Sequence, residues 1–235
     1  MRLNDELIAL LKQEGCSIVG FADITCLPEE ARLSFDRGIL IALPFTREAM
    51  LENKNGLPRR YLAEHEPMTR QLQYLKKITV NFLKARGYEA TGDTPASVID
   101  YDALRSPLPQ KTVATLAGVG WIGKNAMLVT EEAGSAVRVT VVLTDAPLDC
   151  GTPVTKSKCA PGCTACADIC PGKAPLGGLW EAGLDRDSFF DAHACQAAAR
   201  ARARKRGEEL LYCGEAMCGL CVSNCPFTKR GLKYS

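Results

Sequence analysis

The sequence predicts an α+β protein in which an α/β domain precedes a small cysteine-rich domain. Helical and strand-like apolar patterns alternate through residue 148. The remainder is rich in Cys, Gly and Ala and has almost no strand pattern, although it contains two similar cysteine runs. A cluster-binding domain needs little apolar core, because metal bonds hold it. We therefore expect one domain over residues 1–149 and a second over residues 150–235.

The elements of the first domain follow from apolar periodicity and from turn residues. We predict, in chain order, a helix over 1–15, a strand over Cys16–Ala22, a strand over Gly38–Pro44, a helix from Leu72 to Gly87, a helix over Pro109–Leu116, and strands over Ala126–Thr130 and Ala136–Thr144. The second strand is apolar throughout, as in a strand buried on both faces. The last two strands are expected to pair around the loop that joins them.

Composition excludes several classes of function. The chain has 235 residues and a net charge of +2, which gives no strong field toward nucleic acid or membranes. No apolar run approaches the length that spans a bilayer, and the N-terminal segment does not resemble an export signal. Twelve cysteines without such a signal indicate metal ligation in a reducing cytoplasm.

The cysteine runs are the most specific feature of the sequence. The first reads C-x3-C-x2-C-x3-C-P and the second reads C-x2-C-x3-C-P; their members are Cys159, Cys163, Cys166 and Cys170, then Cys218, Cys221 and Cys225. In two-cluster ferredoxins the cysteine before the proline ligates the other cluster. Ligand sharing therefore predicts one cluster on Cys159, Cys163, Cys166 and Cys225. The second would use Cys170, Cys218 and Cys221.

The second cluster lacks a fourth ligand in this scheme. Cys195 and Cys213 are the candidates, and Cys195 is favoured because it opens a helical stretch between the two runs. Zinc and disulfides remain alternatives to iron–sulfur clusters. Zinc sites prefer paired C-x2-C modules, and disulfides need an oxidising compartment.

A glycine-rich turn is the second chemical feature. Gly118, Gly120 and Gly123 fit G-x-G-x-x-G, but a helix precedes them and a strand follows, which is the reverse of the order in a dinucleotide site. Such glycines allow the backbone to approach a ligand closely, or they form a tight helix-to-strand turn.

The segment from Leu116 to Asn125, followed by Gly134-Ser135, by Val142–Asp145 and by the cysteine runs, resembles the epoxyqueuosine reductase family. Reductive dehalogenases are more distant relatives of that family. The resemblance implies a nitroreductase-like α/β cobalamin-binding domain followed by a ferredoxin-like domain with two [4Fe–4S] clusters. It supports Cys195 as the missing ligand. It also implies cobalamin contacts by Gly118, Gly120, Trp121, Gly123, Lys124, Gly134 and Ser135.

The implied activity is that of a reductase whose clusters pass electrons to cobalamin and then to a substrate. The family carries a catalytic aspartate upstream of the glycine turn, and Asp100 and Asp102 are the corresponding candidates for a proton donor. An electron donor such as ferredoxin or flavodoxin is the expected partner. An electron-transfer protein and a corrinoid-binding or delivery protein are the alternative functions.

The low net charge also leads us to expect a small-molecule substrate and to regard tRNA as an unlikely partner, because tRNA recognition needs many phosphate contacts. The family's full-length enzymes continue beyond the clusters with a helical repeat domain, and we expect this chain to be a short form that lacks it.

Overall fold

The computed structural model describes residues 2–56, 58–205, 211–212 and 215–234. Its helices are α1 (Leu3–Gln13), α2 (Glu29–Arg32), α3 (Arg47–Lys54), α4 (Arg59–Lys84), α5 (Gln110–Leu116), α6 (Ala165–Ile169), α7 (Ala192–Lys205), α8 (Leu220–Ser223) and α9 (Pro226–Gly231), with short 3₁₀ turns at Pro95–Ser97 and Arg186–Ser188. Its strands are β1 (Ile18–Asp23), β2 (Arg37–Pro44), β3 (Ala90–Thr91), β4 (Gly120–Ile122), β5 (Leu128–Thr130), β6 (Val137–Thr144), β7 (Leu211–Tyr212) and β8 (Glu215–Ala216).

The main sheet has the strand order β1-β2-β6-β3. Strands β1 and β2 are antiparallel, with Ile18 opposite Ala42, and β3 is antiparallel to β6. Six consecutive residues of β2 are buried, as the apolar run predicted for a strand covered on both faces. The mixed α+β class expected from the sequence is confirmed.

One predicted strand pairing is wrong. Strand β5 pairs with β4 in a separate two-stranded sheet, whereas β6 lies between β2 and β3. The chain reverses at Gly123, whose N–H donates to the carbonyl of Met127 at 2.9 Å, and Ala126 has a positive φ of 55°. This tight turn brings β4 and β5 together. The largely buried β6 therefore serves as an inner strand of the main sheet.

Helix α4 is longer than predicted because it begins at Arg59. Its first turns carry Tyr61 and His65, which are buried and pack edge to face at 4.7 Å between ring centroids. Both rings also pack against Phe45. The sequence pattern did not predict this part of the helix for two reasons. Its buried residues are aromatic, and Pro67 is a residue type that normally breaks a helix.

The chain divides into two compact units that are discontinuous in sequence. The first consists of Met1–Leu43, Thr69–Gly120 and Arg138–Val154, and the second of Pro44–Met68, Trp121–Val137 and Thr155–Ser235. The first contains most of the main sheet with α1, the later turns of α4, and α5. The second contains all the cysteines of the two runs. The predicted boundary between a domain over residues 1–149 and one over residues 150–235 stays a prediction.

Across the described residues, none of the helices combines the length and hydropathy that crossing a bilayer requires.

Candidate metal-cluster site

Four cysteines from distant parts of the sequence line one cavity in the second unit. Cys159, Cys163, Cys166 and Cys225 surround a volume of about 270 Å³. The liquid volume of a water molecule is about 30 Å³, so this space holds a group of several heavy atoms. These four residues are the set that ligand sharing predicted for one cluster.

Electrostatics shows how close these thiols lie to one another. Burial, followed by the charges of Cys159, Cys163 and Cys225, raises the pKa of Cys166 to about 11. The thiol of Cys166 therefore keeps its proton in the metal-free protein. A bound metal reverses this preference, because its positive charge favours thiolates.

The same cavity is bordered by three basic side chains and one aromatic ring. Lys124 is buried, and its ammonium donates hydrogen bonds to the carbonyls of Pro161 at 2.6 Å and Cys163 at 3.0 Å. These bonds hold the loop between Cys159 and Cys163. Lys158 and Arg230 pair with Glu131, and Arg230 lies over the ring of Phe227.

The remaining cysteines form a second group. Burial raises the pKa of Cys195 to about 11, with further contributions from the charges of Cys170, Cys218 and Asp191. Burial also raises the pKa of Cys221 strongly, as do the charges of Cys195, Cys218, Cys166 and Cys170. Cys170, Cys195, Cys218 and Cys221 are therefore neighbours. Helix α6, which carries Cys166, contacts helix α8, which carries Cys221, so the two groups are adjacent.

Short helices position the thiols of both groups. Cys166 lies in α6, Cys170 caps its C-terminus, Cys221 lies in α8, and Cys225 precedes α9. Pro226 occupies the first position of α9, where its missing N–H costs no helical hydrogen bond. Cys195 lies in the first turn of α7.

Two observations limit the assignment of a metal. Within the described ranges, no three His, Cys, Asp or Glu side chains converge closely enough to hold a single ion. The alternative ligand Cys213 lies outside the described residues. Cys195 is the candidate that the structure brings beside Cys170 and Cys218.

Three glycines predicted to contact cobalamin are surrounded by the chain's own atoms. A Cβ on Gly118, whose φ is +72°, would lie 2.6 Å from the carbonyl oxygen of Thr152. A Cβ on Gly123 would lie 2.8 Å from Val129, and one on Gly134 would lie 2.1 Å from the backbone nitrogen of Thr228. Packing within the protein therefore accounts for glycine at these positions. Their contact with cobalamin stays a prediction.

The other predicted cofactor contacts are buried residues of the second unit, except Gly120 of β4, which belongs to the first. Ser135 donates its N–H to the hydroxyl of Thr228 at 3.0 Å. The ring of Trp121 packs edge to face on Phe227 at 4.8 Å, and its buried indole N–H has no hydrogen-bond partner among the described residues.

The two candidate acids lie on an exposed loop of the first unit. Asp100 accepts hydrogen bonds from the backbone N–H groups of Asp102 at 2.9 Å and Ala103 at 3.0 Å, so its carboxylate holds a turn. In the described part of the chain, no hydrogen bond or ion pair engages the carboxylate of Asp102. The two carboxylates therefore differ in their hydrogen bonding, which the sequence did not indicate, and a catalytic role for either one stays a prediction.

Sequence reasoning missed Arg202. It belongs to a basic run that reads as a solvated helix face, yet its guanidinium lies 3.2 Å from the sulfur of Cys218. One indication was available, because Arg202 follows Cys195 by seven residues and two helical turns place both on one face.

Comparison with curated proteins confirms the resemblance predicted from the sequence. The chain is 34% identical over 129 residues to an epoxyqueuosine reductase of Atelocyanobacterium thalassa (isolate ALOHA), a match that covers 53% of this chain and 39% of that protein. It is 32% identical over 155 residues to an epoxyqueuosine reductase of Gloeobacter violaceus, a match that covers 64% of this chain and 44% of that protein. The matches thus span less than half of these relatives. No protein-family model matches the chain.

Solved structures share the fold. An epoxyqueuosine reductase with a tRNA-Tyr epoxyqueuosine-modified stem loop aligns at a TM-score of 0.61 and 20% identity, over 97% of this chain and 65% of that chain. The Bacillus subtilis enzyme was solved with its catalytic aspartate loop swung out of the active site. It aligns at a TM-score of 0.61 and 19% identity, over 97% of this chain and 65% of that chain. A reductive dehalogenase aligns at a TM-score of 0.63 and 16% identity, over 94% of this chain and 31% of that chain. Its structure suggests a mechanism for B12-dependent dehalogenation.

The prediction that tRNA is an unlikely partner, with a small molecule as substrate instead, is wrong. The fold of nearly the whole chain matches a reductase that holds a tRNA stem loop. The error has a physical reason. Net charge averages over the whole surface, whereas a stem loop is held by a local group of cations and polar groups.

Proposed function

We propose that this chain is an oxidoreductase of the epoxyqueuosine reductase type, which carries two [4Fe–4S] clusters and reduces a tRNA-borne substrate. The observation that carries the proposal is the assembly of eight cysteines into two adjacent groups of four. The similarity to curated epoxyqueuosine reductases supports it.

The cysteine groups fit such clusters. Four thiolates are the usual ligand set of a [4Fe–4S] cluster, and each group offers four. Cys159, Cys163, Cys166 and Cys225 would hold the first cluster, and Cys170, Cys195, Cys218 and Cys221 the second. When bound, the clusters supply one-electron transfer. Lys124 fixes a ligand loop, while Phe227 and Val129 line the same cavity as the first group.

Cobalamin is a proposal that the comparison with B12-dependent dehalogenation supports. Neighbouring protein atoms fill the space beside the glycines that were expected to approach cobalamin, so these glycines provide no independent evidence for cobalamin binding. The same observation keeps an electron-transfer protein as the second candidate function.

The proposed substrate is epoxyqueuosine in a tRNA stem loop, the ligand of a structurally similar enzyme. Converting its epoxide to the alkene of queuosine consumes two electrons and two protons and releases the oxygen as water. Asp102 is the better candidate for delivering a proton, because the carboxylate of Asp100 is engaged by two backbone N–H groups. Both residues lie on a loop, and the Bacillus subtilis enzyme likewise carries its catalytic aspartate on a loop.

Anaerobic turnover tests this function. Cluster-loaded protein would be incubated with cobalamin, a low-potential reductant and a stem loop that contains epoxyqueuosine, and queuosine would be measured by mass spectrometry. We expect conversion that requires both cobalamin and reductant. Asp102→Asn should slow it at least about 100-fold, the usual contribution of general acid catalysis. Fully loaded protein without conversion would favour the electron-transfer function.

A further inference from the structure

Arg202 makes a contact that a solvated helix face does not require. One guanidinium nitrogen, Nη1, lies 3.2 Å from the sulfur of Cys218 and 3.4 Å from its carbonyl oxygen. The other, Nη2, donates to the carbonyl of Gly56 at 3.2 Å. Among the described residues, no other candidate ligand sulfur accepts a hydrogen bond from a charged side chain.

The surrounding structure holds this guanidinium in place. Arg202 is half-buried on α7, between the buried Ala199 and Ala203 on the same helix. Its planar fork contacts Cys218 on one side and Gly56 on the other, a geometry that lysine cannot reproduce. The contact is therefore a fixed feature of the second cysteine group.

A positive donor on a ligand sulfur changes the energy of adding an electron. Reduction makes a cluster more negative, and hydrogen bonds to its sulfurs together with nearby charge set its reduction potential. The charge of Asp191, which lies near Cys195, acts in the opposite direction but belongs to an exposed side chain. The half-buried guanidinium is screened less by water than an exposed charge is.

We propose that Arg202 raises the reduction potential of the second cluster and so sets how readily that cluster accepts one electron from a low-potential donor. The inference rests on the proposed function, because it requires Cys218 to be a cluster ligand. Arg202 is a positioning and tuning residue here and not a catalytic one, since it acts through the thiolate.

The test is a redox titration of anaerobically purified protein, followed by low-temperature electron paramagnetic resonance. Arg202→Met should lower the ratio of reduced to oxidised second cluster at a fixed potential by about tenfold, which corresponds to about 59 mV for a one-electron couple. The first cluster should keep its potential. Its signal can be assigned in Cys195→Ser protein, which is expected to retain it.

Two variants complete the experiment. Arg204→Met removes an exposed charge two residues along the same helix and should change the ratio by less than about twofold, because solvent screens that site. Arg202→Lys keeps the charge, so it should shift the reduction potential of the second cluster less than Arg202→Met does. If Arg202→Met loses the cluster, Arg202→Gln, which keeps an N–H donor without the charge, should still show a lowered potential.

The outcomes separate the inference from the proposed function. Wild-type protein without iron and labile sulfide would overturn the proposed function. Wild-type protein with both clusters, together with an Arg202→Met or Arg202→Gln variant whose potentials are unchanged, would overturn the role of Arg202 alone. Loss of the second cluster in every Arg202 variant would also overturn it, since the residue would then serve only to hold the ligand loop.

Discussion

At the scale of single residues, Cys195 is the proposed eighth ligand, and spacing alone could not choose between it and Cys213. Cys195→Ser should remove one cluster, so iron and acid-labile sulfide should fall from about eight to about four atoms of each per chain. The physical reason is that Cys195 lies beside Cys170 and Cys218. Metal and sulfide analysis of anaerobically purified protein measures the loss.

Cys26→Ser is the matched control, because Cys26 is an exposed cysteine of the first unit. It should leave the iron content unchanged. Cys213→Ser should do the same. Loss of iron in Cys213→Ser together with full loading of Cys195→Ser would assign the eighth ligand to Cys213.

Residue-level prediction from sequence agreed with the structure on which run cysteines lie together, although their role as cluster ligands stays a prediction. Ligand spacing grouped Cys159, Cys163 and Cys166 with the distant Cys225 because the two runs share one pattern, and the structure brings these four residues around one cavity. It failed for Arg202, whose partner sulfur is remote in sequence. It also could not separate Asp100 from Asp102, because their difference lies in backbone hydrogen bonds.

At the scale of elements, the start of α8 depends on a left-handed glycine. Gly219 has φ +65°, and a Cβ there would lie 2.6 Å from the ring of Tyr61 and 2.8 Å from Asn53. It separates Cys218 from the helix that carries Cys221. Gly219→Ala should displace both thiols and lower the iron content by about four atoms per chain, because the turn is strained as well as crowded.

Gly162→Ala provides the comparison. Gly162 immediately precedes Cys163 in the first run, but a Cβ there meets no atom within 4 Å. This variant should bind its full complement of iron. Equal loss in both variants would mean that any added methyl near a ligand loop disturbs assembly, which contradicts the specific role given to Gly219.

Elements were predicted well where one apolar pattern sufficed, as in α1, β2 and α5. The pairing of β5 was not, because the turn at Gly123 and Ala126 that joins it to β4 has no distinctive short motif. The early turns of α4 were missed because aromatic contacts with Phe45, which is distant in sequence, stabilise them.

At the scale of the whole molecule, the raised thiol pKa values predict how the cluster-free protein responds to pH. Burial raises the pKa of Cys166 and of Cys195 from 9.0 to about 11. The folded state then holds these protons more tightly than the unfolded state does. This contribution to stability is present below about pH 9 and is lost as the pH rises through about 11.

The thermal unfolding midpoint measures this effect. In cluster-free protein it should fall between pH 9 and pH 11 by more than in cluster-loaded protein, whose thiols are already deprotonated by metal binding. Parallel declines in the two forms would show that other groups, and not the cysteine sites, dominate stability in this range.

At the same scale, the sequence could not predict whether the protein binds a tRNA stem loop. A net charge of +2 says little about whether local cations hold a stem loop. If the proposed tRNA substrate is correct, its affinity should fall as salt rises, with a log–log slope of about −0.7 for each phosphate contact to single-stranded RNA. Filter binding of the epoxyqueuosine stem loop at several salt concentrations measures the slope. Affinity that does not depend on salt would contradict phosphate-mediated binding.

The central claim is that eight cysteines hold two iron–sulfur clusters, and the most direct test is the metal and sulfide content of protein purified without oxygen. We predict about eight irons and about eight acid-labile sulfides per chain. Stoichiometric zinc without labile sulfide would contradict the claim and, with it, the proposed reductase.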